Sequence, residues 1–175
     1  MLRSATDADV DAIRRWRNQE PNREASINSH EITAEEHAAW WAKTSTDPTR
    51  LVLIYERGDT PSGVVNFFDL SLDGDHRMGA WGFFLDAEGL EERRELLPAW
   101  IELMSEAADY AFDELALNDL YAEVLEHNTA VRQMNRRFRF QEGEPERRDV
   151  DGRTITVIPI SLNRHARHRR KGAAG

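Results

Sequence analysis

The chain has no cysteine among its 175 residues, which excludes disulfides and thiolate metal sites and agrees with a reducing compartment. Nowhere do about eighteen apolar residues follow one another, so no segment reads as a membrane-spanning helix. The opening MLRSATDADVDAI carries charges where a secretory leader needs its apolar run. A soluble, cytoplasmic protein that does not engage a membrane is expected. The six histidines lack a ligand spacing, so no metal is expected either. Acidic residues are missing from the C-terminal stretch, where Arg164, Arg167, Arg169, Arg170 and Lys171 gather with His165 and His168. The net charge of -9 therefore hides an acidic body, which argues against broad phosphate-backbone binding.

With 40% apolar residues, the length suits one domain whose core needs no staples. The expected division is a domain over 1–162 and a basic tail over 163–175, disordered as chain ends commonly are. Thr6 and Asp9, followed by Val10, Ile13 and Trp16, predict a capped first helix that ends at Asn18–Pro21. Thr33 and Glu36 open a second helix carrying His37, Trp40 and Trp41, closed by Asp47-Pro48. LVLIY (51–55) and VVNFFDL (64–70) predict a hairpin, and a third strand covers Met78 to Leu85. Leu97, Trp100, Ile101, Met104, Ala108, Ala111, Phe112 and Leu115 have helical spacing. A strand over 120–125, a short helix from Asn128 to Phe138 and a strand from Thr154 to Ser161 complete the chain. Strands bunched early and then alternating with helices predict an α+β domain with a mixed central sheet covered by helices.

This order, with YAFDELALNDLYAEVLEHNTAVRQMNRRFRFQEGE (110–144), resembles the GCN5-related N-acetyltransferase (GNAT) superfamily. WRN (16–18), SHEIT (29–33), EHAAWW (36–41), GVVNFFDL, WGFF (81–84) and LYAEVLEHN (120–128) are similar to the aminosugar N-acetyltransferases of pseudaminic acid biosynthesis. The resemblance implies acyl transfer to the primary amine of a small polar molecule, such as a nucleotide-linked amino sugar. It implies an acceptor side lined by Arg17, Asn18, His30 and Trp41. Physically, Arg grips phosphate or carboxylate with a two-pronged fork, and Trp stacks on a sugar or base. Arg17 in a surface ion pair and Trp41 in the core remain the alternatives. Glu123 and Glu126 flank the strand end where the amine would meet the thioester, and a carboxylate there takes the ammonium proton unless it is held in an ion pair. His37 and His76 are further candidate bases.

On the donor side the resemblance implies acetyl-CoA, or another acyl donor, against Phe83, Phe84 and Leu85, with Arg93, Arg94 and Asn128 as further contacts. Asn128 equally fits a helix cap. The family's Arg/Gln-x-x-Gly-x-Gly/Ala loop, which cradles the pyrophosphate on backbone amides, is not matched. LDAEGLEERRELLPAWIEL (85–103) has one glycine, Gly89, and counting back from Tyr110 puts Pro98 and Trp100 at the loop's glycines. Asn135 aligns with the tyrosine acid, and Arg139 with the glycine before phenylalanine. These departures leave two other readings open. One is a donor other than CoA, such as aminoacyl-tRNA met by Arg136, Arg137, Arg139 and the tail. The other is an inactive binding protein.

Overall fold

The computed structural model describes residues 1–167. It contains the strands β1 (Leu2–Ser4), β2 (Leu51–Arg57), β3 (Thr60–Ser71), β4 (Met78–Leu85), β5 (Asp119–Leu125), β6 (Gln141–Glu142), β7 (Glu146–Val150) and β8 (Arg153–Asn163). Its helices are α1 (Val10–Asn18), α2 (Glu20–Glu24), α3 (Ala34–Thr44), α4 (Ala87–Glu92), α5 (Leu96–Asp109) and α6 (Thr129–Arg137). The strands form one sheet in the order β1-β2-β3-β4-β5-β8-β6, with β7 also on β8. Every neighbouring pair is antiparallel except β4 and β5, which are parallel. This is the expected mixed α+β architecture.

Alternation along the strands gives the sheet two apolar faces. On one, Leu53, Tyr55, Val65, Phe67 and Trp81 pack with Ala99, Leu103, Met104 and Ala107 of α5 in the larger core. On the other, Val52, Ile54 and Val64 pack against Ile13 and Trp16 of α1, with Trp40 and Trp41 of α3 alongside.

Both helix starts follow their sequence signals. The Thr6 amide and hydroxyl donate to the Asp9 carboxylate at 2.8 and 3.0 Å. Thr33 and Glu36 exchange reciprocal bonds at 2.8 and 3.2 Å, a capping box. Asp9 is also forked by Arg3 through two 2.8 Å bonds, and that guanidinium, ahead of the Thr6 contacts, holds the Asp9 carboxyl at about 2.

Several elements lay outside the sequence expectations. β1 and β6 are short strands whose partners lie farther along the chain, so local pattern gives them no signal, whereas β7 is the hairpin partner of β8 across Asp151-Gly152 and its charged sequence, ERRDV, hides it. α2 follows directly on α1, with Pro21 in its first turn where a missing amide hydrogen costs nothing. The long helix begins at Leu96, beside Leu97 where the expected spacing starts, but α4 precedes it without a sequence expectation and its end passes into a π-helical turn over Tyr110–Glu114. The predicted disordered tail needs correction at its start. Arg164 donates to the carbonyls of Leu117 and Phe112 at 2.8 and 2.7 Å. Arg167 pairs with Asp113 at 2.5 Å and sits over the Phe112 ring. Residues 168–175 of that tail lie outside the described residues.

Arg139 follows α6 with φ of +68°. The left-handed conformation explains why glycine suits this turn, and an arginine there carries about 1 kcal/mol of strain or more. Arg139→Gly is expected to stabilise the protein by about 1 kcal/mol, raising Tm by about 2–4 °C. Chemical denaturation and a thermal scan measure it.

Candidate functional site

The central irregularity is the parting of β4 from β5. Their ladder runs through Met78↔Asp119, Gly79↔Leu120 and Ala80↔Tyr121, then stops. β4 continues to Leu85 on β3, and β5 continues to Leu125 on β8. Strand alternation sets what the open edge presents. Asp86 N–H bonds the Ser62 carbonyl on the β3 side at 2.9 Å, whereas the Leu85 carbonyl faces away and accepts from Asn22 Nδ2 at 2.8 Å. The Phe83 amide, two residues before Leu85, therefore points into the gap. The resulting cleft, of about 340 Å³, is lined by Trp81, Phe83, Trp100 and Val124, with Asn128 and Asn135 from the α6 side.

α6 forms one wall because Arg132 forks Glu142 through two 2.9 Å bonds and Arg136 adds a third at 2.8 Å. Those guanidiniums, Arg132 first, hold the Glu142 carboxyl at about 2. Asn128 caps the helix by accepting from the Val131 amide at 3.2 Å.

A second cavity, of about 640 Å³, lies on the α1/α3 face of the sheet and includes Arg17, His30, His37, Trp40, Asn66 and Phe84 in its lining. Phe84 lines both spaces, so they adjoin across β4. Arg17 donates to the Asn28 carbonyl. Its Nη1 is buried without a partner, and it forms no ion pair among the described residues. Burial, and then the nearby Arg23 charge, lower its pKa. A desolvated cation without a counter-ion is a receptor for an anion. His37 is 5% exposed, and its ring lies tilted against Trp40 with centroids 4.9 Å apart. Burial, followed by the Arg14 charge and partly offset by Asp11, pushes its pKa down, so the ring is neutral at pH 7.

The anticipated acceptor residues divide. Arg17 and His30 line the cavity; Asn18 and Trp41 do not. The Asn18 side chain binds both backbone groups of Ile32 at 2.8 Å, so it pins the segment leading into α3 instead of meeting a ligand. Trp41 donates to Asp7 at 2.8 Å and packs toward α1, leaving Trp40 on the cavity wall.

Glu123 lines the cleft, but both its carboxylate oxygens are engaged by Arg148, which also meets Glu146 at 2.7 Å. Glu126 lines neither cavity. Of the expected donor contacts, Phe83, Phe84, Leu85 and Asn128 line the cleft, whereas Arg93 and Arg94 do not. Arg93 leans on Glu95 and Ser62 at 3.4 Å, and Arg94 takes φ of +59° in the turn after α4. His76 instead pairs with Asp119 at 2.8 Å, away from both spaces.

The segment aligned with the glycine-rich loop has another use here. Asp86 caps α4 by accepting from the Gly89 amide at 3.3 Å, and a Cβ on Gly89 would lie 2.2 Å from Asp86 Oδ2. Gly89 thus serves that close approach. Pro98 occupies the third position of α5, where its missing N–H leaves only Leu96 and Leu97 as free first-turn donors. Trp100 and Asn135 turn inward to the cleft wall.

Local pattern did not reveal Gln19, Asn22 or Asn66. Gln19 donates to Asp86 at 2.8 Å and accepts from the Ala87 amide at 2.7 Å, while Asn22 spans the Trp16 and Leu85 carbonyls. Together they tie α1 and α2 to the end of β4. Side-chain amides on either side of Pro21 were a signal for such a clamp, but the Gln19 partner lies 67 residues away.

Residues 5–146 match a family model described as an acetyltransferase (GNAT) domain. No curated protein sequence matches the chain. Among solved structures, the spermidine N-acetyltransferase from Vibrio cholerae in complex with CoA and spermine is similar at 17% identity. The match covers 95% of this chain and 96% of that one, with a TM-score of 0.77. The N-acetyltransferase PseH of Campylobacter jejuni in complex with acetyl coenzyme A is also similar at 17% identity. Here 94% of this chain and 99% of that one are covered, with a TM-score of 0.62. At these identities the likeness establishes the shared fold. Among the described residues no helix is long and apolar enough to cross a membrane.

Asn18→Ala is expected to cost about 1–2 kcal/mol, because it removes both bonds to Ile32. Hydrogen exchange at the Ile32 amide and proteolysis within 25–33 should both accelerate.

Proposed function

We propose, because the chain belongs to the acetyltransferase (GNAT) domain family, that it transfers an acyl group from an acyl-CoA to the primary amine of a small, negatively charged acceptor. A nucleotide-linked amino sugar is the leading case. The observation that carries this reading is the adjoining of two spaces across β4 at Phe84. One takes a thioester along an open strand edge, and the other takes the acceptor with its anionic group against Arg17. Holding both reactants this way removes much of the entropic barrier to acyl transfer.

The cleft fits the acyl end of the donor. The Phe83 amide on the open edge suits the thioester carbonyl, where it would stabilise the charge that develops on oxygen. The N–C bond forms as the C–S bond breaks, and the sulfur leaves as thiolate. A thiol with a pKa near about 8.5 is a good leaving group near neutrality, so Asn135 need not supply a proton. The amine must lose one, and neutral His37 on the acceptor wall is the residue assigned to take it. Glu123, doubly engaged by Arg148, is assigned to holding β7 against β5.

The diphosphate end fits less well. Only Leu96 and Leu97 offer first-turn amides, and Glu88, Glu91, Glu92 and Glu95 surround the approach. Arg94, exposed beside that helix start, is the remaining cation for a phosphate. That the Vibrio cholerae and Campylobacter jejuni structures hold CoA and acetyl-CoA supports this donor. The aminoacyl-tRNA reading leaned partly on Arg136, which is paired with Glu142.

The same two relatives are a polyamine enzyme and PseH, and their likeness to this chain does not choose between acceptors. The charge at Arg17 favours an anionic acceptor, because a polycation would leave that buried guanidinium unanswered and add repulsion.

Calorimetry should detect acetyl-CoA binding with Kd of about 100 μM, near −5.5 kcal/mol. No detectable binding would remove CoA as donor, and RNA binding with a steep salt dependence would replace it by a tRNA. A thiol-release assay should rank a UDP-linked 4-amino sugar and glucosamine 6-phosphate above spermidine. The reverse order would overturn the anionic acceptor.

His37→Gln is expected to lower turnover by about 10²-fold, with Glu123→Gln within about threefold of wild type. The sign for pH follows from the lowered pKa: activity is present above the depressed His37 value and falls as acid protonates the ring. His37→Gln should lose that limb of the pH profile.

A further inference from the structure

Five buried side-chain polar atoms without a hydrogen-bond partner among the described residues belong to residues lining the two cavities. In the cleft these are Trp81 Nε1, Trp100 Nε1 and Asn135 Oδ1. In the acceptor cavity they are Arg17 Nη1 and Asn66 Oδ1. An amide oxygen left bare inside a protein costs about 1–3 kcal/mol. The cost is understandable where a ligand supplies the missing donor.

Asn66 is distinguished by its place. In the β3–β4 ladder it stands directly opposite Gly82, so the two share the α1/α3 face of the sheet. Asn66 lines the acceptor cavity, and Gly82 lines the cleft beyond the point where β4 leaves β5. A Cβ added at Gly82 would meet nothing within 4 Å, and its φ is not in the left-handed range. Neither a close approach nor a special backbone conformation therefore requires glycine there. The missing side chain leaves open space between the two cavities, next to an amide oxygen that needs a donor.

We infer that Gly82 is the window through which the acceptor's amine reaches the acyl carbon, and that Asn66 Oδ1 accepts a hydrogen bond from that amine and holds it there. Asn66 is thus a positioning residue for the nucleophile, and Gly82 sets the opening it passes through. An amine N–H satisfies the bare oxygen, while its lone pair remains free to face the carbonyl carbon. Together with Arg17 this makes the acceptor a two-point ligand, with an anionic group for the guanidinium and an amine for the amide oxygen. The inference rests on the acyl-transfer reading above.

Two variants test it by different means. Asn66→Leu removes the oxygen without leaving a space, and Gly82→Val fills the window with a residue that strands favour. Neither should lower Tm, and removal of a bare buried acceptor should raise it for Asn66→Leu. Turnover is followed by thiol release from acetyl-CoA, with whichever of the UDP-linked 4-amino sugar, glucosamine 6-phosphate and spermidine the wild type uses fastest.

Asn66→Leu is expected to lower kcat/KM for the amine by about 30–100-fold, with the acetyl-CoA Kd within twofold of wild type. Gly82→Val is expected to abolish transfer to the amine while acetyl-CoA and the amine each still bind in separate titrations. Variants that turn over like wild type would overturn the inference and leave acyl transfer standing, as would a loss accounted for by weakened acetyl-CoA binding. A wild type that neither binds acetyl-CoA nor releases thiol would overturn the acyl-transfer reading together with the inference.

Discussion

The separation of β4 from β5 after Ala80 is the constraint on which the site depends. A strand that gives up its partner exposes backbone donors and acceptors that must be satisfied some other way. Here β4 keeps β3 and β5 keeps β8, so neither strand is destabilised along its whole length. One exposed group, the Leu85 carbonyl, is met by Asn22, and the Phe83 amide is left on an edge lined by aromatic rings. The opening that weakens the sheet is also the opening that forms the cleft.

The cavity on the α1/α3 face is held by polar side chains acting on backbone, with apolar packing beneath. Gln19 and Asn22 bind the end of β4, Asn18 binds Ile32, and Arg17 and Arg23 bind the carbonyls of Asn28 and Ser29. Arg153 reaches Ser29 from the far end of the sheet at 2.6 Å. This fixes the cavity roof over the strands, and among the described residues Arg17 forms no ion pair although Glu36 and Asp69 line the same cavity. A guanidinium whose bonds go to neutral carbonyls keeps its charge available, which a carboxylate partner would have cancelled.

Glu123 makes the contrast. Its position on β5 puts it on the cleft lining, yet Arg148 of β7 engages both its carboxylate oxygens. Position in a strand tells which face a side chain takes. It does not tell which charge waits there.

The sequence by itself determined the order and type of the main elements, because periodicity, caps and turn residues act over a few positions. The helix signals at Thr6, Thr33 and Asn128 and the strand Met78–Leu85 were all legible in this way. So was the unusual run before α5, although local pattern alone left unread that Gly89 serves the Asp86 cap and that Arg139 takes the left-handed conformation. Tertiary structure alone decided where β4 parts from β5, that Asn66 faces Gly82, that Trp40 and not Trp41 meets the cavity, and that Arg164 and Arg167 dock on the body. Each of these joins residues far apart in the chain, and such contacts are selected by the packing of the whole sheet rather than by the residues on either side.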